Sequence, residues 1–341
     1  MHSDSPTGLR AAVIGGGSWG TALATVLAAS GPVRQWARSA EVADAINTDH
    51  RNPRYQTDLV LPAALTATTS LADAVADAEL VCLVVPSHAM RTVVGELAPH
   101  LPPGIPIVSA SKGIENGTLL TMEEVLTEVL PRGRRVDLAC LSGPSFARET
   151  MQRMATAVTV AARFPDIARA VQAAFTTHWF KVYTTEDVTG VELGGALKNV
   201  VAIAAGVADG MGLGHNSRAA LLTRGLAEIS RLAVRRGANP LTLAGLAGMG
   251  DLVLTCTGGL SRNRHVGMQL GKGRRLADIL GEMNEVAEGV RTAESAHQLA
   301  LKEKVVMPVT HEVYRILYED KPPAQALADL MGRDARQERD Q

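Results

Sequence analysis

The stretch Leu9-Arg10-Ala11-Ala12-Val13-Ile14-Gly15-Gly16-Gly17-Ser18-Trp19-Gly20-Thr21-Ala22-Leu23-Ala24-Thr25-Val26-Leu27-Ala28-Ala29 decides the fold. Residues 9–14 form a short apolar run bounded by glycine, as a strand buried on both faces does. Residues 21–29 carry apolar side chains at helical spacing. Between them, glycines 15, 17 and 20 occupy the first, third and sixth places of GxGxxG. Gly15 permits a tight turn, Gly17 lets backbone approach a pyrophosphate, and Gly20 lets helix pack on strand. Unpaired amides at the helix start then face the phosphates of a dinucleotide.

Outward from this unit, strand and helix signals alternate. Residues 33–36, 80–85, 107–110, 137–141 and 157–161 read as strands, rich in Val, Ile and Leu. Residues 39–47, 71–76, 90–97 and 119–130 read as helices between them. Such alternation predicts a doubly wound, mostly parallel α/β sheet. Past about Thr189 the strand signal stops, and 191–208, 217–236, 240–244, 263–270, 276–283, 292–302 and 310–318 all carry helical spacing. The reading is a dinucleotide-binding domain over 1–190, an all-α domain over 191–330 and a charged, frayed tail over 331–341. A chain of 341 residues exceeds what one core usually serves, which agrees with two domains.

Bulk properties exclude several classes. A net charge of -1 gives no overall field for nucleic acid or anionic lipid, and no apolar run reaches the roughly 18 residues of a membrane span. The start MHSDSPTG lacks a basic region and an apolar core, so no secretory leader is read. Cys82, Cys140 and Cys256 are far apart and form no CxxC pair, consistent with buried reduced thiols in the cytoplasm. The histidines are dispersed without HExxH, so no metal is expected.

Candidate chemistry lies in three further places. At the end of the second strand, where an acid commonly holds ribose hydroxyls, the chain has Arg38. That residue suits the 2′-phosphate of NADP, or stacks on adenine, or faces solvent. In Gly194-Gly195-Ala196-Leu197-Lys198-Asn199-Val200-Val201-Ala202 a lone lysine sits in an apolar helical run. Burial would lower its proton affinity and suit it to acid–base work; a snorkelling lysine is the other reading. Small neighbours at 194, 195 and 202 leave room for a ligand and another chain segment. Ser261 reads as a helix N-cap, and the amides after it, with Arg262 and Asn263, suit a phosphate. Asp251 would accept from a substrate hydroxyl or orient Lys198. Lys112, Gly143 and Ser145 follow predicted strands, at the ends where such sheets bind ligands.

Together these segments resemble the bacterial NAD(P)-dependent sn-glycerol-3-phosphate dehydrogenases. The resemblance runs through IGGGSWGTALA, VVPSHAMR, SKGIENGTLLTMEEV, LSGPSFARE, GVELGGALKNVVAIAAGVADGMGLGHNSRAALLTRGLAE, GMGDLVLTCTGGLSRNRHVG and VAEGVRTAES, between about Val13 and Tyr318. It implies a Rossmann-type first domain and a helical second domain similar to that of 6-phosphogluconate dehydrogenase. It implies reversible reduction of dihydroxyacetone phosphate to sn-glycerol 3-phosphate, feeding glycerophospholipid synthesis, with Lys198 as proton acceptor in the oxidative direction. Substrate contacts carry over to Lys112, Gly143, Ser145, Lys198, Asp251, Ser261, Arg262 and Asn263. Cofactor contacts carry over to Ser18, Trp19, Arg38, Lys112, Ala147, Arg262, Val286 and Glu288, beside Gly15, Gly17 and Gly20. The cofactor is NADP or NAD, with NADPH favoured or both used. The expected partner is the small phosphorylated substrate; nucleic acid is not expected, and a homodimer is left open.

Two stretches depart from the family pattern. Tyr55-Gln56-Thr57 stands where Tyr-Leu-Pro is common, and Gln152-Arg153-Met154-Ala155 where a Gly-x-Pro turn is common. Two rival functions share some of these features: a keto-acid reductase whose substrate has no phosphate, and a dinucleotide sensor without catalysis. Comparing dihydroxyacetone phosphate with dihydroxyacetone separates the first, and the presence of Lys198 with the 251–263 cluster speaks against the second.

Overall fold

The computed structural model describes residues 8–283 and 287–334. The chain divides into two compact units, 8–111 with 122–188, and 112–121 with 189–334. The tail beyond Asp334 and the leader reading at residues 1–7 lie outside the described residues.

The first unit is built on one sheet of β1 (Ala11–Ile14), β2 (Val33–Trp36), β3 (Leu65–Thr68), β4 (Leu80–Leu83), β5 (Ile107–Ser109), β6 (Leu138–Ser142), β7 (Thr156–Ala161) and β8 (Phe180–Thr185). Their order is β3-β2-β1-β4-β5-β6-β7-β8. Ala11 lies opposite Val33 on one side and Leu80 on the other, both pairings parallel. Strand order therefore reverses beside β1, and the crevice at such a switch point opens at the carboxyl ends of the strands. The glycine turn follows β1 directly. Pairing changes sense at β6–β7, where Cys140 faces Ala161 antiparallel, and β8 then runs parallel to β7.

β1, β4 and β6 are buried along their whole length, which is why they read as unbroken apolar runs. β3 and β8 form the sheet's edges and alternate buried with exposed residues: Leu65 and Ala67 face inward, as do Phe180 and Val182. Neither strand is in the sequence reading, which looked for continuous runs. Helix packing on the sheet draws on Leu23, Leu27, Ile46, Val171 and Phe175, all essentially without exposure.

The second unit is helical, gathered around helix Val188–Gly210. That helix is apolar enough to pass for a membrane span, yet its apolar window is entirely buried within the protein. Glycines fix its closest neighbour. A Cβ at Gly206 would lie 2.1 Å from Arg264 O, and one at Gly210 2.3 Å from Met268 O. Reciprocally, Gly267 would meet Ile203 O at 2.0 Å and Gly271 would meet Val207 O at 2.3 Å. Helices Val188–Gly210 and Arg262–Gly271 thus run in backbone contact, each contributing two glycines four residues apart.

Residues 112–121, read from sequence as part of the first domain, belong by their contacts to the helical unit. Ile114 is in the helical core, its carbonyl accepts from Ser295 Oγ at 3.2 Å, and Asn116 Nδ2 donates to Glu294 Oε2 at 2.7 Å. A bridge between Ile114 and Thr121 and the left-handed backbone of Leu119 (φ 63°) close this loop. They also delay the helix expected from 119, which runs Met122–Val129.

Candidate active site

Lys198 is 7% exposed on helix Val188–Gly210. Its Nζ donates to Asp251 Oδ1 and to Thr255 Oγ1, each at 2.7 Å. Lys112 Nζ donates to the other carboxylate oxygen, Asp251 Oδ2, at 2.6 Å. Asp251, 1% exposed, opens helix Asp251–Thr257 just after a single wide π-turn at Leu246–Gly250, and a helix start favours negative charge. Thr255 lies one turn on, on the same face, and donates to Asp251 O at 2.6 Å, which aims its lone pairs at the lysine. Two ammonium groups thus share one buried carboxylate.

The charges settle as follows. Burial raises the Asp251 carboxyl, but Lys112 and Lys198 outweigh it and hold it below the ordinary carboxylate value. Burial lowers Lys198; Asp251 opposes this, Lys112 adds to it, and the ammonium comes down to about 8. An ammonium has three N–H groups, and two are spoken for; among the described residues the third meets no acceptor. The group is therefore anchored, desolvated and able to exchange a proton near neutral pH. Cys256 lies beside it, but burial pushes that thiol up to about 12 and leaves it inert. The room at Gly194 is taken by protein, since a Cβ there would lie 2.8 Å from Ala247 O.

Ser261 caps helix Arg262–Gly271, its Oγ accepting from Arg264 N at 3.2 Å. Asn263 is tied inward: its Nδ2 donates to Asn199 Oδ1 at 2.9 Å, and its Oδ1 accepts from Gly289 N at 2.9 Å. Asn199 directly follows Lys198 and Gly289 is the second residue of helix Glu288–Glu303, so this one amide links the lysine helix to the starts of helices Arg262–Gly271 and Glu288–Glu303. Arg262 is exposed at the first helical position, while Arg264 Nε reaches buried Asp209 at 2.8 Å. A helix start bearing an arginine, tied to a helix carrying a buried ammonium, suits a phosphate ester.

In the sheet unit, the amides that open helix Ser18–Leu27 receive no side-chain cap from Gly17. A Cβ at Gly15 would strike Val84 O at 2.3 Å, and one at Gly20 would strike Gly15 O at 2.1 Å. A Cβ at Gly17, by contrast, would meet nothing within 4 Å. The first and third glycines of the fingerprint are thus required by protein packing, and the middle one faces open space. Trp19 Nε1 is buried without a hydrogen-bond partner, as are Ser109 Oγ and Ser142 Oγ at the carboxyl ends of β5 and β6. Open backbone, uncapped amides and orphaned donors fit a dinucleotide. Arg38 is exposed just past β2. Gly143 takes φ 148° with its would-be Cβ 2.8 Å from Val158 Cα, Ser145 Oγ donates to Gly143 O at 3.0 Å, and Ala147 begins helix Ala147–Met151.

The sequence-predicted residues therefore fall into two sets. Lys112, Lys198 and Asp251 are joined by the contacts above within the helical unit, Asn263 is tied to Asn199 beside the lysine and to Gly289 beside Glu288, and Ser261 and Arg262 stand at the linked helix start. Gly15, Gly17, Ser18, Trp19, Gly20, Arg38, Gly143, Ser145 and Ala147 lie at carboxyl ends of strands in the sheet unit. Val286 lies outside the described residues. Thr255 and Asn199 were missed; a threonine one turn beyond Asp251, and an asparagine next to the lysine, were the available signals.

Residues 10–168 match the family model described as the N-terminus of NAD-dependent glycerol-3-phosphate dehydrogenase, and 187–328 match that of its C-terminus. The glycerol-3-phosphate dehydrogenase (NAD(P)+) of Myxococcus xanthus is 58% identical over 97% of this chain and 99% of its own. That of Geobacter sulfurreducens is 56% identical with the same coverage. The crystal structure of the Coxiella burnetii glycerol-3-phosphate dehydrogenase superposes with a TM-score of 0.90 at 37% identity, over 96% of this chain and 100% of that one.

Proposed function

Because this chain belongs to the NAD-dependent glycerol-3-phosphate dehydrogenase family, we propose that it interconverts dihydroxyacetone phosphate and sn-glycerol 3-phosphate, with Lys198 as its acid–base group. The cofactor is NAD(P), which when bound supplies or accepts the hydride at C2 of the substrate. The remaining chemistry belongs to the protein. In reduction, Lys198 gives a proton to the carbonyl oxygen as negative charge develops there, and in oxidation its free amine takes the hydroxyl proton. Asp251 holds the lysine in place and supports its charged form, and Lys112 keeps that support from becoming excessive. The start of helix Arg262–Gly271, with Arg262 and Asn263, receives the phosphate. In the sheet unit, Gly15, Gly17, Ser18, Trp19, Gly20, Arg38 and Ala147 hold the dinucleotide. Arg38 in place of an acid favours NADPH, or use of both cofactors. The same reading makes the enzyme a cytoplasmic supplier of the phospholipid backbone, consistent with its three buried free thiols.

One observation carries the assignment of Lys198: a buried amine brought to about 8 and fixed by Asp251 and Thr255. Lys198→Ala should lower kcat for dihydroxyacetone phosphate reduction at least ~100-fold, the scale of general acid catalysis, while the NADPH dissociation constant stays within about threefold. Unchanged NADPH consumption in a folded variant would remove the lysine from the mechanism.

A further inference from the structure

One of the two stretches that depart from the family pattern is tied to the helix that precedes the other. Residue 56 carries a glutamine, whose Nε2 donates to Ser18 Oγ at 3.2 Å and whose Oε1 accepts from Arg148 Nη1 at 3.2 Å. Arg148, on helix Ala147–Met151 just before the second departing stretch, also grips Asp58 with two bonds, at 2.8 and 2.6 Å. The backbone of Gln56 is left-handed (φ 55°), which costs a residue with a Cβ about 1–2 kcal/mol and persists only where contacts hold it.

A second tie lies four positions earlier in the same segment. Asn52 has no exposure although its neighbours Arg51, Pro53 and Arg54 are exposed. Its Nδ2 donates to Gly16 O at 3.0 Å and Thr21 Oγ1 at 2.9 Å, while its Oδ1 accepts from Arg54 N and Tyr55 N. The side chain therefore shapes its own loop and fastens that loop to the glycine turn. Residues 52–58 thus touch the turn at residue 16 and at residue 18, on either side of Gly17.

From this placement we propose that Gln56, braced by Arg148, is a positioning residue for dinucleotide binding, completing with Asn52 a strap across the glycine turn. The inference rests on the cofactor assignment made above. A turn whose amides must converge on a pyrophosphate binds more weakly when it has to be ordered first, because ordering draws on the binding free energy. The strap meets that cost during folding. Since it touches the turn and not the Lys198 cluster, its loss should weaken binding and leave the chemical step alone.

The test compares wild type, Gln56→Leu, Arg148→Met and the double variant. NADPH and NADH dissociation constants are measured by titration calorimetry without substrate, beside kcat, KM and the thermal midpoint. Gln56→Leu should raise both dissociation constants about five- to tenfold, with kcat within about twofold of wild type. Arg148→Met should do the same in smaller degree, and should add less in the Gln56→Leu background than it does alone, since part of its effect runs through Gln56. Unchanged dissociation constants in Gln56→Leu, a fall in kcat without a change in binding, or additive effects of the two substitutions would each overturn the proposal. If wild type binds neither dinucleotide, the cofactor assignment itself fails and the strap has nothing to position.

Discussion

Asp251→Asn keeps the shape of the side chain and removes the charge that two buried ammonium groups share. Lys198 stands at about 8 because burial lowers it and Asp251 partly restores it. A charge-assisted hydrogen bond of this kind contributes about 1.5–3 kcal/mol, and one pKa unit corresponds to about 1.36 kcal/mol. Losing it moves the lysine down by about one to two units, to roughly 6–7. The sign follows from which form each direction needs. Oxidation of glycerol 3-phosphate needs the free amine, so its kcat/KM rises with pH through about 8 in wild type, and in the variant through a point about one to two units lower. Reduction needs the ammonium and falls above the same points. At about pH 7.5, a lysine at 8 is about three-quarters protonated and one at about 6.5 roughly a tenth, so reduction should fall about eightfold from protonation alone. Misplacement of the amine adds to this. The assay is kcat/KM for both directions between about pH 5.5 and 9.5, followed by nicotinamide absorbance. An ionisation that stays near 8 in Asp251→Asn would mean that another group controls the proton, and the role given to this carboxylate would fail.

Two further substitutions probe the frame around the site. Glu228 is 1% exposed and accepts from Val309 N, Thr310 N and Thr310 Oγ1, so it closes the start of helix Pro308–Tyr318. Glu228→Ala strands those donors in the core and should cost about 3 kcal/mol in urea unfolding, with kcat little changed in the protein that remains folded; a loss under ~1 kcal/mol would show that water replaces the carboxylate. Gly206→Ala places a Cβ 2.1 Å from Arg264 O, which forces the two glycine-lined helices apart. It should destabilise by about 2–3 kcal/mol in the same experiment, and an unaffected midpoint would contradict backbone contact there.

The sheet's centre was legible because β1 and β4–β6 are covered on both faces and leave unbroken apolar runs in the chain. Its edges were not: Leu-Thr-Ala-Thr at β3 and Phe-Lys-Val-Tyr-Thr-Thr at β8 are half-buried, and short alternation is a weaker signal than a run. The reversal at β6–β7 was also hidden, since pairing sense is a property of connections and not of the strands themselves. Lys198 stood out as a charge in an apolar helical run, and the structure places it 2.7 Å from Asp251, the acid read as able to orient it. Thr255 passed unnoticed because a threonine in a helix is ordinary until its partner is known. Asn52 was missed, and Gln56 was marked only as part of a departing stretch and given no role, for a different reason. Their segment carries no periodicity, and what they do depends on a turn more than thirty residues upstream.

The loop 112–121 has a consequence for how this protein can be made. It leaves the ribosome well before residue 189, yet Ile114 completes a core whose other members, from Leu193 to Leu317, are still unsynthesised. A fragment starting at 189 would lack both Ile114 and Lys112. Vectorial, domain-by-domain folding is interrupted here: the early loop must wait, without its partners, for the late helices to arrive.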